Sequence, residues 1–576
     1  MNKAITVKSN GKTRILTTRS TKLVKPLWTA MLAVFALPAA YAADPPNAGS
    51  ILQQVQQPKL PSPSATGTGL IIDQDRHTSL PTSAPISVQE IQIVGNTLFD
   101  TATLHALVAE AEGKSVTLPR LGEYATRITD YYHLRGYPLA RAVIPVQSIR
   151  AGLVRMQVIE ANYGKITLDN RSRAGDALLQ KTLSPLQAGR AVTQAGLDRT
   201  LLLASDIPGV AVSAILKPGE EVGTSDLQVQ TDPTVQVVGN VTADNFGNRY
   251  TGQARFGVAV NVFNPLRHGD VLSIGALSSG RDMNYGSISY ETLLNGLGTR
   301  MGGSYSALHY ILGDSLGALD ARGTAQVASS WVKHPFIRTR DANLYGQLQY
   351  DRKQLDDRIG ASSIKTDRHL NNLSASLNGD WRNGMLAGGI DTWSIGLTAG
   401  RVGFDDRAAQ LADAATAKTQ GGFTKWNGNF AHLQNLNQND SLYLALFGQW
   451  SNGNLDSAEK MVAGGPYTVR AYDIGVLSGD TGVFGSVELR HDLGQFASGC
   501  WQVLAFVDSE HVRVNKNPWL PGDNGATLSG AGFGMTWSGP DQWHAKLYIA
   551  IPFDSTPQLI GDNKSVRAWA EIGKAF

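Results

Sequence analysis

From about residue 233 to the C-terminal Phe576 the chain runs as strand after strand of alternating apolar and polar residues, separated by Gly, Asn and Asp turns. This stretch of about 340 residues limits the chain to folds built around a large sheet. Residues 542–553 show the pattern best. Trp543, Ala545, Leu547, Ile549, Ile551 and Phe553 fall on one face, and His544, Lys546 and Tyr548 on the other. It recurs where Val483, Val487 and Leu489 oppose Glu488, Arg490 and Asp492, and again where Ala254, Phe256, Val258, Val260 and Val262 oppose Gln253, Arg255 and Asn261. A soluble sandwich also alternates, but it buries its apolar faces in a dry core. No independent core signal accompanies these strands, and an apolar outer wall around a polar interior is the pattern of a membrane barrel. A cation facing lipid at mid-membrane costs about 2–4 kcal/mol, so the charged face is expected to line a wet or plugged lumen.

The N-terminal residues 1–42 carry Lys3, Lys8, Lys12, Arg14, Arg19, Lys22 and Lys25 with no acid. An apolar segment and Ala40-Tyr41-Ala42 follow, so they are expected to form a secretory signal, with a short membrane anchor as the competing reading. Without these seven cations the remainder holds 44 Lys plus Arg against 48 Asp plus Glu, a balance of −4. The basic pI therefore belongs to the leader, and no nucleic-acid partner is expected. The single cysteine, Cys500, excludes an intrachain disulfide.

Residues 43–57 place Ile51, Leu52 and Val55 on one side of a short helix and glutamines on the other. A helix this short needs a surface to dock on; a disordered tail is the competing reading. Residues 58–85, rich in Pro, Ser, Thr and Gly, are expected to be a flexible linker. Residues 86–161 then give strand, helix, helix, strand, strand, and residues 162–232 repeat that order, as expected of two copies of a small α+β module.

The first module, with IVGNTLF and YYHLRGYPLARAVIPVQSIRAGLVRMQVIEANYGKI, resembles a polypeptide-transport-associated (POTRA) domain. The second, with LSPL, DIPGVAV and LKPGEEVGTSDLQV, is similar to the second such domain of the two-partner secretion transporters of the outer membrane. The opening of the barrel, residues 244–274, resembles the first hairpin of the same family, with Asn264-Pro265-Leu266 and Gly269-Asp270 in its turn.

Within residues 464–480, GGPYTVRAYDIG sets the cation Arg470 between Tyr467 and Tyr472 in a Gly-rich loop. It resembles the family's VRGY loop, with Val469, Arg470 and Tyr472 kept and Ala471 where glycine is usual. The resemblance implies that the loop tucks into the barrel and that Arg470 meets an inner-wall aspartate. FVDSEHV resembles that wall motif and puts Asp508 on the face opposite Trp501, Val503, Ala505 and Val507; Glu510 stands where glycine is usual. A guanidinium in a lumen needs a partner, and a bidentate carboxylate suits it. The terminal Phe576, after Val566, Ala568, Ala570 and Ile572, resembles the signal read by the β-barrel assembly machinery, with Lys574 breaking the alternation.

Enzyme signals are weak. GDSLG at residues 313–317 lacks the strand-turn-helix setting of a nucleophilic serine, and GAGFG at 530–534 lacks nucleotide-binding spacing. No catalytic, cofactor-binding or metal residues are assigned, and no cofactor is expected.

The resemblance as a whole implies a transmembrane β-barrel of 16 antiparallel strands at 233–576, preceded by two POTRA domains and an N-terminal plug helix. It places the barrel in the outer membrane of a Gram-negative bacterium, in contact with its lipid, and the POTRA domains in the periplasm. The implied partner is a secreted exoprotein client, an adhesin, hemolysin or contact-dependent inhibition toxin, recognised unfolded by the POTRA domains and exported without ATP. An outer-membrane assembly factor or insertase of the same superfamily is the alternative; such relatives carry more than two periplasmic modules.

Overall fold

The computed structural model describes residues 45–56, 63–66, 69–72, 81–553, 557–561 and 563–576. The secretory signal read at residues 1–42 lies outside the described residues.

Sixteen strands close into one barrel in simple chain order, from Val237–Asp244 to Arg567–Ala575, each antiparallel to the next. Closure pairs Asn240–Asp244 with residues 571–575, and Gly239 and Phe576 exchange backbone hydrogen bonds of 2.9 Å beside that seam. The alternation predicts the facing correctly. Val483, Val487 and Leu489 are exposed on the outer wall, as are Leu547, Ile549 and Ile551, whereas Glu488 and Asp508 are buried inside. Lys574, which breaks the terminal alternation, stands over the Trp543 ring of the neighbouring strand, 5.5 Å from its centroid.

Strands such as Ala321–Arg338, Ala342–Ile359 and Ile364–Asn383 span 18 to 20 residues. At about 3.3 Å per residue they far exceed the 9–11 residues a membrane strand needs. Their far ends therefore stand clear of the apolar band.

Two α+β modules precede the barrel. In the first, Glu90–Val94, Leu153–Ile159 and Arg141–Val143 make a three-stranded sheet covered by the helix Leu118–Leu134, which buries Leu121, Tyr124, Ile128 and Tyr132. The helix Thr101–Ala106 is short: a 3₁₀ turn at Ala109–Ala111 follows it, and Lys114–Val116 then returns as a strand onto Ile86–Val88. In the second, Asn162–Asn170, Thr224–Pro233 and Val210–Pro218 form a sheet backed by the helices Asp176–Leu183 and Gln194–Ser205.

Within the span read as linker, Gly69–Ile72 runs parallel to residues 213–216 and extends this second sheet. Ser64 donates to Asp380 Oδ2 of the barrel (2.7 Å), and Arg382 holds the Ser64 carbonyl. These parts of the linker are ordered against the protein.

The second module docks on the barrel mouth. Arg338, 1% exposed, makes a two-pronged pair with Asp206 (2.7 and 2.8 Å) and also donates to the Ala65 carbonyl (2.8 Å). Arg340 pairs with Asp198 at 2.9 Å, and Arg199 donates to the Pro335 carbonyl at 3.0 Å.

Candidate functional site in the lumen

The segment between Asp440–Ser451 and Thr481–Gln495 folds inward as a narrow hairpin whose short strands, Met461–Ala463 and Leu477–Gly479, pair with each other. Glycine is required where the chain reverses: Gly464, Gly465 and Gly475 all have positive φ. This brings Arg470 to the inner wall.

Arg470 is 5% exposed and Asp508 1%. Arg470 Nε donates to Asp508 Oδ2 (2.8 Å), Nη2 to Oδ1 (2.7 Å), and the Arg470 backbone N–H to Oδ2 (3.2 Å). The fork satisfies both carboxylate oxygens at once. Two wall groups join it: Nη1 donates to Glu488 Oε1 (2.7 Å), and Nη2 to Ser486 Oγ (3.1 Å). The guanidinium also stacks on Phe506, 3.4 Å from the ring centroid. One cation thus sits between two carboxylates, and Arg490 offsets the surplus by donating to Glu488 Oε2 (2.6 Å).

Val469 and Tyr472 are fully buried beside the arginine, and Trp569 Nε1 donates to the Arg470 carbonyl (2.8 Å). Ala471, where glycine is usual in the resembling motif, faces Gly530 across the lumen wall; a Cβ on Gly530 would overlap the Ala471 methyl. Glu510, where glycine is usual in the resembling motif, is fully buried, and neither of its carboxylate oxygens has a hydrogen-bond partner among the described residues; the Arg470–Asp508 contact forms beside it all the same.

The helix Ala48–Val55 lies in the same lumen. Asn47 caps it by accepting from the Ser50 N–H (3.1 Å), and Asn47 N–H donates to Ser50 Oγ (2.9 Å). Ile51 and Leu52 are buried against lumen-facing Leu308, Tyr310, Ala325, Leu355, Leu370 and Val402, with Val55 packed at the edge. The lumen is therefore not polar throughout. The expectation that charge lines it holds around Arg470 and fails where the helix sits, because a docked amphipathic helix needs an apolar counterpart.

Polar ties fix the N-terminal end of the helix. The Ala48 N–H and the Tyr310 hydroxyl donate to Asp357 Oδ1 (2.8 and 2.7 Å), and Arg368 bridges Asp357 Oδ2 (2.7 Å) to Asp456 Oδ2 (2.5 Å). Close by, Glu459 accepts from Lys353 (2.6 Å) and Lys425 (2.8 Å). Glu488 was readable as an inward residue from its strand's alternation. The Asp357–Arg368–Asp456 chain left no such signal, since its members lie far apart in sequence.

No group of side chains among the described residues could hold a metal ion. Ser315 of GDSLG is exposed in a short 3₁₀ turn between two barrel strands, not at a strand-turn-helix elbow.

A closed membrane barrel with an arginine-pinned inward loop, a lumen helix and two preceding α+β modules, the second docked at its mouth, has the architecture of an outer-membrane transporter with its modules in the periplasm. The family described as Haemolysin secretion/activation protein ShlB/FhaC/HecB matches residues 223–537, and the POTRA domain, ShlB-type, matches residues 86–161. The chain belongs to that family, whose members are secretion transporters and not enzymes. It is 25% identical to the heme/hemopexin transporter protein HuxB of Haemophilus influenzae over 92% of this chain and 95% of that one. It is 24% identical to the outer membrane transporter CdiB of Escherichia coli over 87% and 86%. The solved structure of CdiB from Escherichia coli superposes with a TM-score of 0.68 at 19% identity, covering 88% of this chain and 92% of that one. Export of an exoprotein partner across the outer membrane follows from the family.

Proposed function

We propose that the chain recognises a large unfolded exoprotein through its POTRA domains and passes it through the barrel without ATP. The observation that carries this is the nature of what fills the lumen. The helix Ala48–Val55 belongs to no wall strand and is joined to the rest only through residues 56–85, so it can leave as a unit. A passive pore needs no such removable part.

Client capture is assigned to free sheet edges. The second module's edge strand Val210–Pro218 already carries Gly69–Ile72, whereas the first module keeps Glu90–Val94 and Arg141–Val143 at the rims of its sheet. An unfolded segment added there gains main-chain hydrogen bonds with little demand on sequence. Folding of the client outside then draws it onward. In this reading Ile51, Leu52 and Val55 are the grip of a plug; Val469, Arg470, Tyr472 and Asp508 latch the loop that shapes the pore. Phe576 and its strand serve insertion by the β-barrel assembly machinery.

The test is reconstitution of the full chain in liposomes with a urea-unfolded exoprotein from the adjacent reading frame, without nucleotide. Protease-protected client should accumulate across the bilayer. A strict nucleotide requirement, or no transport with intact barrels, sinks the proposal.

A further inference from the structure

The outer wall changes character along three neighbouring strands, Ala342–Ile359, Ile364–Asn383 and Gly389–Phe404. Their register stacks outward-facing residues in rows: Leu348, Ala375 and Leu397; then Tyr350, Leu373 and Ala399; then Arg352, Asn371 and Arg401. The inward neighbours Lys353, Leu370 and Val402 are buried in the lumen, which fixes the facing.

Tyrosines mark the edge of the apolar band. The Tyr350 hydroxyl donates to Asn371 Oδ1 (2.9 Å), and that of Tyr305 donates to Gln326 Oε1 (3.0 Å). Both hydroxyls point away from the POTRA end, as phenols do at a membrane–water boundary. Arg352 and Arg401 therefore stand one row beyond the acyl chains, at the level of the outer-leaflet headgroups. There a lipid-facing cation costs about 0–1 kcal/mol, against about 2–4 kcal/mol at the midplane.

The two arginines lie one on each side of Asn371, on strands about 10 Å apart. Both are exposed, and among the described residues neither forms an ion pair. The acids around them have other hydrogen-bond partners: Asp405, within electrostatic reach of Arg352 but not paired with it, accepts from His369 (2.8 Å) and Gln354 (3.0 Å), Asp367 pairs with Lys365, and Asp356 accepts from Thr324 (3.3 Å). Two guanidinium forks with an amide between them, directly above an apolar floor, match a phosphate carried by an acylated sugar. The next cations outward, Arg358 and Lys365, are about 20 Å further along the strands and cannot share that phosphate.

We propose that Arg352, Asn371 and Arg401 bind the phosphorylated sugar headgroup of the outer-leaflet glycolipid, lipid A, with its acyl chains lying over Leu348, Leu373 and Leu397. The site orients the barrel in an asymmetric membrane and is separate from the transport path in the lumen.

The test uses the purified full chain in detergent, with lipid binding followed by native mass spectrometry. Its arms are bisphosphorylated lipid A, its fully dephosphorylated form, phosphatidylglycerol, and inorganic pyrophosphate as a free competitor. Bisphosphorylated lipid A should bind about tenfold more tightly than phosphatidylglycerol, and Arg352→Gln with Arg401→Gln should remove that preference. Arg358→Gln with Lys365→Gln should leave it intact. All four positions are exposed, and unchanged heat-modifiability on gels verifies that the barrels are folded. The assignment is overturned by equal binding of phosphatidylglycerol, by binding unaffected in the Arg352/Arg401 variant, or by pyrophosphate binding as tightly as the lipid.

Discussion

Gly475, at the base of the inward loop, lies so close to Gln54 of the lumen helix that a Cβ there would overlap the Gln54 amide. Asn248 joins the same two elements, its Nδ2 donating to Gln54 Oε1 (3.1 Å) and to the Ile474 carbonyl (3.3 Å). At the other end of the helix Asp357 and Arg368 connect the first helical N–H to Asp456, on the chain leading into the hairpin. Helix, loop and wall thus share partners, and moving the helix unpairs groups on the loop.

Gly475→Ala tests the close approach directly. Its φ of +65° strains any residue with a Cβ by roughly 1 kcal/mol, and the added methyl collides with Gln54. The expected outcome is a higher open probability in planar bilayers than wild type, with the barrel still folded. Conductance indistinguishable from wild type would mean that helix and loop move independently.

Arg470→Ala leaves Asp508 buried without a cation and Glu488 with Arg490 alone. Loss of one member of such a group costs about 3–5 kcal/mol when dry and less in a wet lumen. Arg470→Lys keeps the charge but loses the fork and the stack on Phe506, and should fall between. Because Glu488 is a second partner, the charge swap Arg470→Asp with Asp508→Arg should rescue little, while a 470/488 double-mutant cycle should show coupling of about 1 kcal/mol or more. Full rescue by the swap would refute the three-residue account. The readout is the temperature at which the folded gel band is lost.

The barrel was legible because side-chain period and lipid exposure impose the same pattern on every strand, as in residues 543–551, where the apolar face is the outer one. Arg470 and Asp508 were legible through motifs. In residues 350–358, YDRKQLDDR, the alternation dissolves: Arg352 and Arg358 face out past the apolar band, Lys353 and Asp357 face in, and Leu355 points into the lumen beneath the helix. Only register with the neighbouring strands separates these roles. The linker's attachment was hidden for another reason, since backbone pairing such as that of Gly69–Ile72 places little demand on side chains.

Glu160 in the first POTRA domain gives a pH prediction. Burial alone raises its carboxyl, but hydrogen bonds from Thr97, from Tyr132 and from the backbone N–H groups of Leu98 and Thr97 outweigh it and hold it below the usual glutamate value. A carboxyl lowered on folding stabilises above its unfolded pKa, and that stabilisation is lost as pH falls through the folded value. Glu160→Gln should therefore speed amide exchange in Glu90–Val94 at neutral pH, corresponding to about 1 kcal/mol for this partly exposed group, and the difference from wild type should shrink below about pH 4. A gap that stays constant on acidification would point to packing instead of charge.

Asp206 and Arg338 carry the last prediction, because they join the transport barrel to the module that would present the client. Arg338 is buried, and its remaining donors go to the Asn343 side chain (3.0 Å) and the Thr339 and Ala65 carbonyls (3.2 and 2.8 Å). Asp206→Ala removes its only paired carboxylate among the described residues and leaves a desolvated cation. The Asp206 side chain is 31% exposed, so the cost should be about 1–3 kcal/mol, below that of a fully dry pair. Arg340–Asp198 and the Arg199 bonds remain, so the second POTRA domain should loosen without detaching. Amide exchange should rise in the helix Gln194–Ser205 and in residues 63–66, which share Arg338, while the barrel strands stay protected. Asp206→Asn, which can still accept from Arg338 but carries no charge, should give an intermediate effect. If Asp206→Ala leaves exchange in both segments at the wild-type rate, the pair does not hold the POTRA domain in place, and the docking rests on its other contacts, among them Arg340–Asp198, the Arg199 bonds to the Pro335 and Phe336 carbonyls, and the Arg300 bond to the Asp206 carbonyl.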